Sequence, residues 1–580
     1  MNLVVARDRP LIVQSDRTVL LLVDHPRFEE AREALARFAE LEKSPEHLHT
    51  YRVTPISVWS AAALGTPFAA IRESLTGWSQ YPVPKGLLAE VEDWHGRWGR
   101  LRLEREGGRL LLRADREETL RAVASLDSVE PHLREAYDGS ARLVDEGARG
   151  ALKQALVRLG WPVEDLAGYL DGDPLPVGMR STTRSGAPFA MRPYQADAIE
   201  AFHAGGSVRG GSGVVVLPCG AGKTVVGMGV LAAVGTHALV LTTNTVAVRQ
   251  WREELLDKTT LLPEQIGEFT GASKSIRPVT LSTYQMITYR SRKTDDFPHF
   301  RIFGERNWGL VVYDEVHLLP APVFRITADL QARRRLGLTA TLVREDGRED
   351  EVFGLIGPKR FDVPWRALER QGFIATARCV EVRVPLEAAL RDRYLLAPAR
   401  ERFRIASENP AKEALVAKLL ALHEGDLVLV LGQYLDQLRG YAARLAAPLI
   451  TGGTPVAERQ RLYEEFRRGR IRLLLLSRVG NFAIDLPDAN VAIEISGTFG
   501  SRQEEAQRLG RILRPKEGGR LAHFYALVTE DSRDQDFAEK RQRFLAEQGY
   551  AYEIRGVRAI ERRLRRPDPP RRDPAEGETR

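Results

Sequence analysis

"GVVVLPCGAGKTVVGMGVLAAV", residues 213–234, decides the architecture. The apolar run Val214 to Leu217 reads as a buried strand, glycines crowd positions 220–222, and Val225 to Val234 reads as a buried helix. Strand, glycine turn and helix N-terminus in that order form an anion site, because backbone N–H groups and the helix dipole converge on one point. Lys223 would reach the β- and γ-phosphates of ATP, and the Thr224 hydroxyl would hold Mg²⁺. Leu217 occupies the place of the first glycine in G-x-x-x-x-G-K-[ST], so the match rests on Gly220-x-Gly222-Lys223-Thr224. The expected phosphate cradle is Leu217, Pro218, Cys219, Gly220, Ala221, Gly222, Lys223 and Thr224.

Further along the chain, "VVYDEVHLLP" (311–320) is a second apolar run that ends abruptly in carboxylates. Acids after a strand commonly just open a loop. A zinc helix would need two histidines on one face, and only His317 is near. With a phosphate loop upstream, Asp314 is expected to hold the magnesium and Glu315 to orient the attacking water. Parallel strands bring such ends to one carboxyl edge of a sheet. "ALVLTTNTVAVRQW" (238–251), "PVTLSTYQM" (278–286) and "RRLGLTATLVRED" (334–346) supply further strand-then-polar edges, so 185–365 reads as one doubly wound α/β domain.

From about 410 the rhythm repeats. "DLVLVLGQY" (426–434), "RLLLLSRV" (472–479), "VAIEIS" (491–496) and "AHFYALV" (522–528) read as strands, with helical stretches at 455–468 and 501–514. No second phosphate loop occurs. Instead Arg508, Arg511 and Arg514 recur three apart and line one side of a helix. That is either a solvated basic face or a set of arginines donated to the γ-phosphate.

Composition bounds the rest. The 580 residues suffice for three or four domains. Hydrophobic content of 43% and charged content of 28% are those of an ordinary soluble protein. No long apolar run or signal-like N-terminus appears, which reads as cytoplasmic, without a membrane role. Two cysteines, Cys219 and Cys379, exclude a disulfide framework or a four-cysteine zinc site. A net charge of +7 suits a polyanionic partner without demanding one.

The chain resembles superfamily 2 helicases, and more closely the XPB family. "LPCGAGKT" (217–224), "YDEVH" (313–317), "GLTATLVRED" (337–346) and "SGTFGSRQEEAQRLGRILRPK" (496–516) carry the resemblance. It implies two RecA-like doubly wound parallel-sheet motor domains preceded by an α+β N-terminal region. It also implies an ATP-dependent DNA helicase or translocase of 3′→5′ polarity acting in repair. By resemblance, Gln195 in "RPYQ" reads the adenine edge, and Asp485 in "NFAIDLP" lies near the ribose. Gln507, Arg511 and Arg514 face the γ-phosphate. His317, Thr339, Ala340 and Thr341 couple ATP to DNA. Arg344, Glu345 and Asp346 form the family's RED motif, linked there to strand separation; otherwise they are a surface loop with an ion pair. The family thumb is represented only by a short helical piece at 387–410, whose Arg391, Arg393, Arg400, Arg402 and Arg404 would track phosphates.

The expected organisation is an N-terminal accessory, DNA-binding region (1–180), the ATP-binding domain (185–365), a connector with a short thumb (366–410), the second motor domain (411–552) and a disordered basic tail (553–580). Within the first third, strands are expected around 15–17, helices at 28–41, 55–64, 84–98 and 142–170, and a hairpin about Gly107-Gly108. Helices followed by a hairpin suit a winged-helix-like module or a purely structural appendage. Residues 171–195 read as a linker. The expected partners are single-stranded and duplex DNA and a nuclease, with a monomeric motor. The rivals are a duplex-DNA translocase that unwinds weakly, an ATP-binding scaffold without turnover, and an RNA-dependent enzyme.

Overall fold

The computed structural model describes residues 6–43, 47–218, 220–290, 297–331, 333–340, 349–363, 368, 371, 373, 377–477, 489–497, 522–539 and 552–560. The chain divides into two compact units, Met1–Ala367 and Leu368–Arg580.

The first unit opens with an antiparallel sheet of β1 (Leu11–Val13), β2 (Thr18–Leu22), β3 (Glu40–Lys43) and β4 (Leu48–Arg52), in the order β1-β2-β4-β3. Helices Pro55–Ala63, Phe68–Trp78 and Lys85–Arg97 follow. The first starts where Thr54 Oγ1 accepts the Ser57 N–H at 3.1 Å, with Pro55 in the first turn. The helix expected over 28–41 stops at Leu35, because Glu40-Leu41-Glu42-Lys43 alternates with period two and pairs with β4 as β3.

A second, mixed sheet comprises β5 (Leu101–Glu106), β6 (Arg109–Ala114), β7 (Leu133–Asp138), β8 (Ala141–Val144) and β9 (Val163–Asp165). The β5–β6 hairpin turns at Gly107 and Gly108, both at positive φ as a tight two-residue turn requires. It is not the wing of a winged helix. The order β7-β8-β6-β5-β9 covers both of its outer edges with other strands. The expected helix over 142–170 is confined to Arg149–Arg158; β8 and β9 flank it, and Gly160 and Pro162 prevent its extension.

The third sheet is wholly parallel: β10 (Ser212–Val216), β11 (Ala238–Thr242), β12 (Ile266–Phe269), β13 (Val279–Thr283), β14 (Leu310–Asp314), β15 (Arg334–Thr339) and β16 (Lys359–Asp362). Its order, β12-β13-β11-β14-β15-β10-β16, sets β15 between the phosphate-loop strand β10 and the acidic strand β14. The chain from β10 to β11 therefore crosses over two intervening strands, which opens a crevice at the carboxyl ends.

Two features lock the N-terminal sheets to this one. The Pro/Gly-rich 171–195 segment is not a free tether. Its Asp173 N–H bonds Asn307 O at 2.9 Å, Leu175 N–H bonds Gly235 O at 2.8 Å, and Arg180 N–H bonds Lys258 O at 2.8 Å. In addition, Arg149 and Lys153 reach Asp165 at 2.7 and 2.9 Å, and Lys153 Nζ donates to Gln331 Oε1 at 2.9 Å. Burial would raise the Asp165 carboxyl, but Lys153 and Arg149 together hold it far below the carboxylate range. Burial pushes Lys153 down to about 8 against the pull of Asp165. Gly150 completes the seam: a Cβ there would lie 2.3 Å from Ala328 O on the helix that follows the acidic strand.

The second unit is another parallel seven-stranded sheet: β17 (Ala377–Val384), β18 (Val428–Leu431), β19 (Leu449–Ile450), β20 (Leu473–Leu476), β21 (Val491–Glu494), β22 (Ala522–Thr529) and β23 (Tyr552–Gly556), ordered β19-β20-β18-β21-β22-β17-β23. The chain thus enters this sheet at 377, inside the stretch expected to be connector, and leaves it at 556, inside the expected tail. Arg378, Glu381 and Arg383 interrupt the apolar run of β17, so a search for continuous hydrophobicity passes over it. The short thumb-like piece is two helices, Ala388–Leu396 and Ala399–Ser407. Arg402 donates to the carbonyls of Ala397 and Leu395, and Arg404 pairs with Glu408 and Asp436, so these two serve local structure. Arg391 and Arg393 are exposed. Among the described residues no helix is long and apolar enough to cross a membrane.

Candidate functional site

The site is assembled at the carboxyl ends of β10, β14 and β15. After Val216 the chain turns through Gly220 and Gly222, at φ +81 and +83, and enters helix Lys223–Val234. Only glycine adopts that conformation without strain. A Cβ on Gly222 would also lie 2.4 Å from Gln195 Nε2. Gln195 is buried; its amide donates to Ala221 O at 2.9 Å, and its oxygen accepts the Arg192 N–H. Tyr194 OH donates to the same Ala221 carbonyl at 2.7 Å. The residue expected to read adenine thus also braces the glycine turn. Replacing Gly222 with alanine is expected to force the turn out of shape at a cost of about 1–3 kcal/mol. It should break the Gln195–Ala221 bond and weaken nucleotide binding at least tenfold; thermal denaturation and a fluorescent-ADP titration measure both effects.

Lys223 Nζ lies 3.0 Å from Glu315 Oε1, with both side chains largely buried. Glu315 sits in the left-handed region, φ +52 and ψ +55, which costs a non-glycine residue energy and occurs preferentially at functional sites. The kink returns its carboxylate towards the phosphate loop. Removal from water would raise the Glu315 carboxyl, but the Lys223 ammonium, with His317, holds it below its ordinary value. Asp314 moves the other way: burial and the neighbouring Glu315 carboxylate push it up to about 6.

His317 Nδ1 is 2.7 Å from Thr339 Oγ1 and 3.6 Å from Glu315 Oε2. The Leu217 N–H, at the start of the phosphate loop, bonds Thr339 O at 2.9 Å. A backbone hydrogen bond from Ala340 reaches Glu315. The phosphate loop, the acidic turn and Thr339-Ala340 therefore form one connected hydrogen-bonded unit. Thr224 occupies the first helical turn beside Lys223. Cys219, Thr341, Arg344, Glu345, Asp346, Asp485, Gln507, Arg511 and Arg514 lie outside the described residues.

Two contacts were not foreseen from sequence. Trp251 Nε1 donates to Asp314 Oδ2 at 2.9 Å, and Tyr284 OH donates to Asp314 O at 2.8 Å. An aromatic on a helix after a buried strand reads as core, and Trp251 is indeed buried. Only its single polar atom, which must find an acceptor when buried, hinted at more.

Comparison with known proteins fixes the family. The chain is 54% identical over 549 residues to the DNA 3′-5′ helicase XPB of Kineococcus radiotolerans, covering 94% of this chain and 96% of that one. It is 52% identical over 550 residues to the protein of the same name from Mycobacterium tuberculosis, covering 94% and 98%. The chain belongs to the XPB family of DNA helicases. The more distant XPB subunit of the general transcription and DNA repair factor IIH of Antonospora locustae is 34% identical over 573 residues, covering 95% of this chain and 82% of that one. Three family models match in succession. They are the helicase conserved C-terminal domain at 11–137, the type III restriction enzyme res subunit at 188–344, and the ERCC3/RAD25/XPB C-terminal helicase at 368–563. In this XPB-family chain the second match spans the phosphate loop and acidic turn, and the third spans the second parallel sheet.

Proposed function

We infer that this chain is an ATP-dependent DNA 3′-5′ helicase acting in DNA repair. The observation that carries the enzymatic part is the 3.0 Å pairing of Lys223 with Glu315 at the mouth of a glycine turn, beside Asp314. When the γ-phosphate enters the turn, Lys223 exchanges Glu315 for phosphate oxygen. The released carboxylate then accepts a hydrogen bond from the attacking water and holds it in line. A pure binder has no use for this second acid, which speaks against a scaffold without turnover.

The donor set of Asp314 and Thr224 is all oxygen, which suits magnesium. A carboxylate raised by burial and by its acidic neighbour also fits a place where a divalent cation adds compensating charge. Asp314 and Thr224 would hold the ion, which neutralises charge on the β- and γ-phosphates. Gln195 would contact the adenine, Asp485 the ribose, and Gln507, Arg511 and Arg514 the γ-phosphate. The contact of Glu315 with His317 at 3.6 Å, followed by the hydrogen bonds His317–Thr339 and Leu217–Thr339, supports a coupling role for His317 and Thr339: a shift at the water-orienting acid reaches both the strand β15 and the loop. Arg344, Glu345 and Asp346, which follow β15 in sequence, would meet DNA.

The short helical pair at 388–407 favours a second reading, a duplex-DNA translocase that unwinds weakly alone and serves a nuclease partner. Strand displacement compared with triplex displacement separates the two. In both readings the protein tracks phosphates, so DNA affinity is expected to fall steeply with salt. For about six contacts on duplex the log–log slope is about −5. A slope near zero between low and moderate salt overturns the tracking motor, and an ATPase titrated with single-stranded RNA, single-stranded DNA and duplex DNA fixes the substrate.

A further inference from the structure

Trp251 lies on helix Thr245–Lys258, apart in sequence from both the phosphate-loop helix and the acidic turn, yet it touches both. Its indole N–H donates to Asp314 Oδ2 at 2.9 Å. Its ring edge fills a notch in the phosphate-loop helix: a Cβ on Gly227 would lie 2.5 Å from Trp251 Cη2 and 3.2 Å from Leu338 Cδ1. Gly227 is one helical turn beyond Lys223, and Leu338 immediately precedes Thr339. The ring is therefore wedged against the helix that carries Lys223, beside Leu338 of the strand that carries Thr339, while its one polar atom bonds Asp314.

Three properties of this contact matter chemically. An indole N–H donates and never accepts, so it fixes an acceptor oxygen and cannot be satisfied in a reversed geometry. Tryptophan has only two side-chain torsions, and a ring packed in a notch loses both, which makes it a rigid support. Tyr284 OH meanwhile anchors the Asp314 backbone carbonyl at 2.8 Å. Asp314 is thus held at its main chain by Tyr284 and at its carboxylate by Trp251, through Oδ2, and by the Glu315 backbone N–H; Oδ1 is the oxygen that Trp251 does not engage.

We propose that Trp251 is a positioning residue of the ATP site: it clamps Oδ2 of Asp314 so that Oδ1 is presented to magnesium, and the Gly227 notch ties that orientation to the phosphate-loop helix. The inference rests on Asp314 being the magnesium ligand. A helix after β11 therefore takes part in metal binding without contributing a ligand, and displacement of that helix changes the hold on the ion. Hydrogen bonds that orient a metal ligand commonly change metal affinity by about 10–100-fold when removed.

The test is Mg²⁺-dependent binding of a fluorescent ADP to the full chain, without turnover. Trp251→Phe keeps an aromatic ring and removes the donor. It is expected to raise the Mg²⁺ concentration at half-maximal enhancement of binding by about tenfold, and to leave binding in excess chelator unchanged. Gly227→Ala, which keeps the indole but obstructs its notch, is expected to shift the same midpoint in the same direction. The double variant should do no worse than the more severe single variant. A purely structural tryptophan would lower the melting temperature and leave the midpoint in place; that result in both single variants overturns the proposal. Asp314→Asn is the control for the underlying reading. If it retains the wild-type Mg²⁺ midpoint, Asp314 is not the ligand. If it abolishes the Mg²⁺ effect while Trp251→Phe and Gly227→Ala do not move it, the ligand stands and the positioning role of Trp251 falls.

Discussion

Glu315→Gln is expected to bind ATP nearly as the parent does and to lose DNA-stimulated turnover by about 10³, within the range that positioned general bases contribute. The substitution is close to isosteric. Glutamine occupies the left-handed conformation at φ +52 no less readily than glutamate, so the turn between β14 and the helix Ala321–Asp329 keeps its path. The amide oxygen can still accept from Lys223. What disappears is the carboxylate that would take the hydrogen bond, and then the proton, of the attacking water. Steady-state ATPase at saturating DNA, beside equilibrium binding of a fluorescent nucleotide, separates the two functions. Turnover near the parent rate sinks the assignment of this acid. Failure to bind nucleotide would instead mean that the turn itself had collapsed.

The parts of this site that were legible in sequence are those with local signatures. Gly220-Ala221-Gly222-Lys223-Thr224 announces a positive-φ turn before a helix, and Asp314-Glu315 at the end of an apolar run announces charge at a sheet edge. Apolar runs identified β10, β11, β13 and β14, because a strand buried on both faces has no polar side to hide it, and a strand-then-polar edge identified β15. The misses have the converse cause. In β17 charged residues alternate with apolar ones, and short strands such as β3 and β9 are decided by their partners. The winged-helix expectation followed chain order alone, and chain order does not say that β8 and β9 close over the hairpin.

Contacts across long sequence separations that no motif announces were not legible. Trp251 and Asp314 lie on different elements, and neither residue's neighbours announce the other. The buried Arg149–Lys153–Asp165 cluster reads, residue by residue, as ordinary surface charge. Three charges can be buried together only because each supplies what the others need, which is a property of the packed seam.

Lys223→Ala is expected to abolish DNA-stimulated ATPase, by about 10³ or more, and to lower stability at the same time. The activity loss follows from removing the only charge that the glycine turn itself aims at phosphate. The stability loss follows from what remains: Glu315, largely buried, without the ammonium 3.0 Å away. Breaking a buried pair from one side costs about 3–5 kcal/mol, because the surviving charge has lost its compensation. The sign of the pH dependence is fixed as well. Lys223 holds the Glu315 carboxyl below its ordinary value, so the pair's stabilisation is present above that ordinary value and fades as pH falls through the lowered one. Lys223→Ala should therefore lose the most stability, relative to the parent, at neutral pH and the least in acid. Adding Glu315→Gln to Lys223→Ala removes the stranded charge. The double variant should recover most of the lost stability and none of the turnover, and this non-additivity is the coupling that a double-mutant cycle reads. Denaturant titrations of the parent, both single variants and the double variant at neutral and acidic pH, beside their ATPase rates, give the full cycle. If the two substitutions add in stability, Lys223 and Glu315 are not a coupled pair. If Lys223→Ala keeps its turnover, the glycine turn is not the phosphate site.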